Sequence, residues 1–160
     1  AVAFSADAIV VNSFSKYYSM TGWRIGWMIV PADMVRPIEC LAQNLFISPP
    51  TLAQHAALAA FEASEELEAN FRLYAEIRAL LLAVFPKAGF EQFAPADGAF
   101  YLYADIAALT NDSREFCSRM LREIGVACTP GVDFDPKRGH ATMRLCFAGA
   151  TADVAIILCA

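Results

Sequence analysis

The stretch SFSKYYSMTGWRIG, residues 13–26, sets a lysine between two short apolar runs, with two serines and an arginine close by in sequence. Before it, AIVVN (8–12) is β-branched and bounded by Asp7, which predicts a buried strand. The polar segment 13–21, with Tyr17 and Tyr18, predicts a loop, and RIGWMIV (24–30) a second strand closed by Pro31. A lysine just past a buried strand occupies the position where α/β sheets bind ligands. Ser13 and Ser15 offer hydroxyls and Arg24 a guanidinium, a donor set suited to a phosphate dianion. Gly22 and Gly26 let the backbone turn and approach a ligand closely. A lysine amine becomes a nucleophile when desolvation or neighbouring cations lower its pKa. By chemistry alone, Lys16 marks either a site for a phosphate-bearing carbonyl compound or a solvated lysine beside a structural arginine.

Downstream the pattern turns helical from Ala32, with Met34, Ile38, Leu41 and Leu45 at three-to-four spacing, until FISPP (46–50) breaks it. Thr51 is the expected cap of an alanine-rich helix running towards Ala63. Ser64, followed by Glu65 and Glu66, opens a long amphipathic helix to about Val84, ended by Pro86 and Gly89. The remainder alternates. Strands are expected at 99–105 (AFYLYAD), 126–129 and 142–148 (TMRLCFA), with a helix over 113–124 stopped by Gly125. Thr151 is expected to cap a last helix.

The 160 residues amount to one ordinary domain or parts of two. A hydrophobic fraction of 58% and a mean hydropathy of +0.43 are high for a small domain, yet no run approaches the roughly 20 apolar residues of a membrane span. The excess is therefore expected to pack against an absent domain or a partner subunit. A net charge of −5 argues against nucleic acid as a partner, because that role needs a basic stripe. The cysteines (Cys40, Cys117, Cys128, Cys146 and Cys159) are odd in number and lack a Cys-x-x-Cys, which fits reduced thiols in a cytoplasm. The first residues carry no basic region, and Asp7 interrupts the apolar stretch, so no signal peptide is expected.

SFSKYYSMTGWRIG fits every defined position of the lysine signature of class I/II aminotransferases, and the chain resembles that family of fold-type-I pyridoxal-phosphate enzymes. The similarity continues through SPPT (48–51), GAFYLYADI (98–106), VACTPGVDF (126–134) and TMRLCFA. The resemblance implies that Lys16 forms a Schiff base with pyridoxal 5′-phosphate and shuttles the proton between the substrate Cα and the cofactor. It implies further that Ser13 and Arg24 bind the cofactor phosphate, with Ser15 a weaker candidate. Arg144 takes the substrate α-carboxylate as a bidentate pair in the same reading. No metal is expected, since neither His55 nor His140 has a ligand at metal spacing.

The fold so implied is α/β, the C-terminal part of a fold-type-I transferase. Residues 1–62 would be the end of a large domain built on a mixed, mainly parallel sheet. Residues 63–85 would be a connecting helix, and 86–160 a small α+β domain with an antiparallel sheet. The implied activity is amino-group transfer between an amino acid and a 2-oxo acid, in a cytoplasmic homodimer with no membrane or nucleic-acid partner. Only fifteen residues precede Lys16, and none matches the family's pyridine-binding Asp, its Tyr, its glycine-rich loop or its stacking aromatic. This polypeptide alone should therefore bind the cofactor poorly. A C–S lyase or cyclopropane-forming synthase would share the signature, as would a non-catalytic effector-sensing domain. Retention of both Lys16 and Arg144 favours catalysis over the last. Tyr17 and Tyr18 either touch the site or pack, Trp23 and Trp27 are expected to pack, and Cys146 reads as packing.

Overall fold

Residues 1–149 are described by the computed structural model, and the chain divides into two units, one ending at Phe71 and one beginning at Arg72. In the first unit, β1 (Val10–Ser13) and β2 (Gly26–Ile29) pair antiparallel, with Ser13 against Gly26 and Val10 against Ile29. Within this chain the two strands thus form a wide hairpin and not a parallel pair. The segment 14–25 returns the chain without the long crossover, usually helical, that parallel strands need. Gly26 lets the strands close, since a Cβ there would lie 2.5 Å from the carbonyl oxygen of Asn12.

Helix α1 (Ala32–Leu45) carries the expected stripe and tolerates Pro37 in its interior. Helix α2 (Thr51–Ala60) starts one residue earlier than the sequence suggests. Pro50 holds the cap position, no side chain caps the end, and Thr51 is already helical. Gln54 Nε2 donates to Pro49 O at 2.9 Å instead. The small residue Ala57 on α2 lets the hairpin approach, and Phe14, Met20 and Ala57 form the buried cluster of this unit.

Helix α3 (Ser64–Val84) runs across the division between the units. A 3-10 turn (Phe85–Ala88) and Gly89 at φ +90° end it, as Pro86 and Gly89 predict. The second unit is built on an antiparallel sheet in the order β3 (Gln92–Phe93), β4 (Tyr101–Asp105), β6 (Thr142–Cys146), β5 (Thr129–Pro130). Alternation on β4 and β6 buries Leu102, Ala104, Met143 and Leu145 against Ile77, Leu81, Phe85 and Cys117. Helix α4 (Ser113–Ile124) is capped by Asp112, whose Oδ1 accepts from Arg114 N and Glu115 N at 3.1 Å. It closes with Gly125 at φ +73°.

The strands are shorter than their apolar runs. Ala99 is left-handed at φ +58°, so β4 begins only at Tyr101. Val126 N donates to Met120 O at the helix end, so residues 126–128 do not join the ladder and β5 is confined to Thr129–Pro130. The helix expected after Thr151 lies outside the described residues. No described helix is long and apolar enough to cross a membrane.

Candidate active site

Phe14 anchors the lysine loop. Its ring is buried against Tyr18, Trp27 and Phe61 at centroid distances of 4.7, 4.8 and 5.4 Å. Its backbone N–H donates to Ile25 O at 3.2 Å, and its carbonyl accepts from Met20 N at 3.1 Å. With Phe14 turned inward, Ser13 on one side of it is exposed, and Ser15 on the other is partly so. Lys16 follows on the exposed side, and its carbonyl accepts from Ser19 N at 3.0 Å. Ser19 and Arg24 both hold left-handed backbone, at φ +55° and +53°. Non-glycine residues in that region concentrate where the surroundings impose them, often at functional sites.

The loop is cross-tied. Ser15 N donates to Ser13 Oγ at 3.0 Å, Thr21 Oγ1 to Ser15 O at 2.6 Å, and Arg24 Nη1 to Thr21 O at 2.8 Å. Arg24 is thereby linked back to Ser15 through Thr21, so Ser13, Ser15, Lys16 and Arg24 belong to one folded turn. The bond to Thr21 uses one of the five N–H groups of Arg24. Two hydroxyls, a guanidinium and a primary amine make up a donor set that fits a ligand with a phosphate dianion and a reactive carbonyl, as pyridoxal phosphate has. Tyr17 is tied to α3. Its hydroxyl donates to Glu68 Oε1 at 2.6 Å, and this bond, with the neighbouring carboxylate charge, raises its pKa above the ordinary phenol range.

Arg144 belongs to the second unit. It lies on β6, opposite Tyr103 of β4 and Thr129 of β5, on the face of the sheet away from the core. Its guanidinium carbon lies 4.3 Å from the ring centroids of both Tyr101 and Phe134. Nε is buried and has no hydrogen-bond partner, an unmet donor that an anion would satisfy.

His55 and His140 are exposed. Trp27 packs on Phe14 and Tyr18, whereas Trp23 remains partly exposed. An open groove of about 220 Å³ beside α4 and β5 is lined by Cys117, Leu121, Cys128 and Pro130 among others, and by none of the predicted site residues. The aromatic pair on Arg144 and the Tyr17–Glu68 bond have no counterpart in the sequence reading. Period-two alternation puts Tyr101 and Tyr103 on one face of β4, which is the single signal that could have suggested half of the pair.

Residues 2–160 match the profile of the family described as Aminotransferase class I and II. The chain is 50% identical over 152 residues to the valine–pyruvate aminotransferase of Mycobacterium tuberculosis, covering 94% of this chain and 39% of that protein. It is 40% identical over 148 residues to the (5-formylfuran-3-yl)methyl phosphate transaminase of Methanocaldococcus jannaschii, covering 91% and 39%. The crystal structure of an aminotransferase from Mycobacterium tuberculosis superposes with a TM-score of 0.92 at 49% identity, over 96% of this chain and 40% of that one. The chain thus spans about two fifths of the length of these relatives.

Proposed function

Since the chain belongs to the class I and II aminotransferases, we propose that it carries the lysine half and the carboxylate-binding arginine of an enzyme that moves an amino group between an amino acid and a 2-oxo acid. The observation that carries this reading is the cross-tied turn 13–24, which gathers an amine, two hydroxyls and a guanidinium. Pyridoxal phosphate, when bound, supplies a carbonyl for amine exchange and a conjugated ring that takes up the electron pair released at the substrate Cα.

With pyridoxal phosphate bound, Lys16 Nζ would be the amine that holds its carbonyl carbon in the site. Once free, the same Nζ would be the base that takes up and returns the substrate Cα proton. Arg24 and Ser13 fix the phosphate, Arg24 through charge-assisted N–H donors and Ser13 through its hydroxyl proton, with Ser15 as the lesser contributor. Ser13 Oγ already accepts from Ser15 N, which leaves its own O–H to point at the anion. Arg144 orients the substrate by its α-carboxylate. The valine–pyruvate relative makes a branched aliphatic amino acid and pyruvate the first pair to try. A cytoplasmic homodimer fits this reading, with free thiols at Cys40, Cys117, Cys128 and Cys146 and apolar side chains left exposed on the first unit.

The test is an amino-donor screen of the full-length, cofactor-loaded protein with pyruvate as acceptor. Valine should give alanine, and Lys16→Ala should lower turnover by at least about a thousandfold. Ammonia released without any acceptor would mark a lyase and displace the transferase reading. Turnover unaffected by Lys16→Ala would remove the lysine from its role.

A further inference from the structure

Arg144 has two aromatic rings against its guanidinium. Its guanidinium carbon lies over both Tyr101 and Phe134, 4.3 Å from each ring centroid. The two rings arrive from different elements. Tyr101 stands on β4 diagonal to Arg144, because the register pairs Arg144 with Tyr103. Phe134 closes the 3-10 turn Gly131–Asp133, its N–H donating to Gly131 O at 2.9 Å. An aromatic face attracts a cation but offers no lone pair to an N–H in the guanidinium plane. Ring contacts therefore leave the edge of the group unserved, and Nε is indeed buried without a partner. Two hydroxyls of the same two strands are engaged with one another, Tyr103 Oη lying 2.8 Å from Thr142 Oγ1.

We propose that Tyr101 and Phe134 are positioning residues that clamp the guanidinium of Arg144 by its faces. The Nε edge, whose N–H has no partner, is then the edge that meets an anion. The clamp rests on the reading of Arg144 as the residue that takes the substrate carboxylate. It adds a geometry to that reading. The carboxylate is received side-on, through Nε–H and one Nη–H, in the plane fixed by the rings. A planar carboxylate matches two parallel donors in one plane. Fixing the fork in advance also removes the ordering cost that a free arginine pays on binding.

The test uses the full-length, cofactor-loaded protein with Tyr101→Leu and Phe134→Leu, which keep apolar bulk and remove the ring. Each should raise KM for both the amino acid and the 2-oxo acid by about fivefold and leave kcat within about twofold, the pattern of lost uniform binding. The ring exchanges Tyr101→Phe and Phe134→Tyr should bring KM back, which a purely space-filling role would not require. Phe134 is 48% exposed, so Phe134→Leu tests the clamp even where Tyr101→Leu fails to fold. A second readout follows the Nε–H NMR signal of Arg144, identified by its loss in Arg144→Lys. It should move when pyruvate is added and stay in place with pyruvamide, the neutral analogue. Unchanged KM in the leucine variants while Arg144→Leu raises it overturns the clamp alone. Unchanged KM in Arg144→Leu overturns the carboxylate reading and the clamp with it.

Discussion

Cys128 and Cys117 are sulfur side chains that the fold uses as apolar ones. Burial pushes the Cys128 thiol up to about 12, with the Cys117 thiol adding to the rise. Cys117 is raised as well, by burial first and by the charge of Asp133 second. A thiol raised in the folded state favours folding while it stays protonated. The contribution of Cys128 is therefore complete below its unfolded value of 9.0 and is lost as pH climbs towards about 12. Unfolding free energy measured in urea should fall as pH rises from about 8.5 to 11, and fall less steeply in Cys128→Ala. An identical slope in the two proteins would show that the thiol does not ionise on unfolding. Other residues were legible in the sequence for a different reason. Lys16, Ser13 and Arg24 stand at fixed offsets in one continuous turn, so the string itself carries their grouping. The partners of Arg144 were not legible, because Tyr101 comes from another strand and Phe134 from a turn, and only the tertiary fold brings the three together.

At the scale of elements, the position of Phe134 depends on two 3-10 turns, Gly131–Asp133 and Gly139–Ala141, whose backbones touch. A Cβ on Gly131 would collide with Thr142 Oγ1 and lie 2.6 Å from Thr142 O and 2.7 Å from Gly139 O. Backbone atoms cannot swing aside as the end of a side chain can. Gly131→Ala should therefore lower the unfolding free energy by about 2–3 kcal/mol. Gly98→Ala, where nothing lies within 4 Å of the added carbon, should stay within about 0.5 kcal/mol. Equal stability of the two variants in denaturant titrations would contradict this packing. Helices were the readable elements, and α4 spans the residues its periodicity predicts. Strands were less so. The apolar run 99–105 does not reveal that Ala99 turns left-handed, nor does 126–129 reveal that its first residues serve the end of α4. The two-residue strand β3 is too short to carry any period.

For the molecule as a whole, the apolar excess of the sequence becomes visible as uncovered surface. The stripe that made α1 recognisable as an amphipathic helix ends in Leu41 and Leu45, which are exposed, Leu45 by 77%. Ile47 and Leu52 beyond it are 81% and 71% exposed. Periodicity marks a face meant for burial, whichever molecule covers it, so it could foretell the stripe and not the cover. Apolar side chains clustered on one segment and open to water drive association until something covers them. The 160-residue polypeptide by itself is therefore expected to bind a hydrophobic dye and to sediment as species that grow with concentration. The triple substitution Leu45→Ser, Ile47→Ser, Leu52→Ser should weaken both effects, while the unfolding midpoint of the second unit, read from the buried Phe147 and Phe85 environment, stays in place. A monodisperse monomer that takes up no dye would mean that the exposed stripe is not the source of the high apolar content.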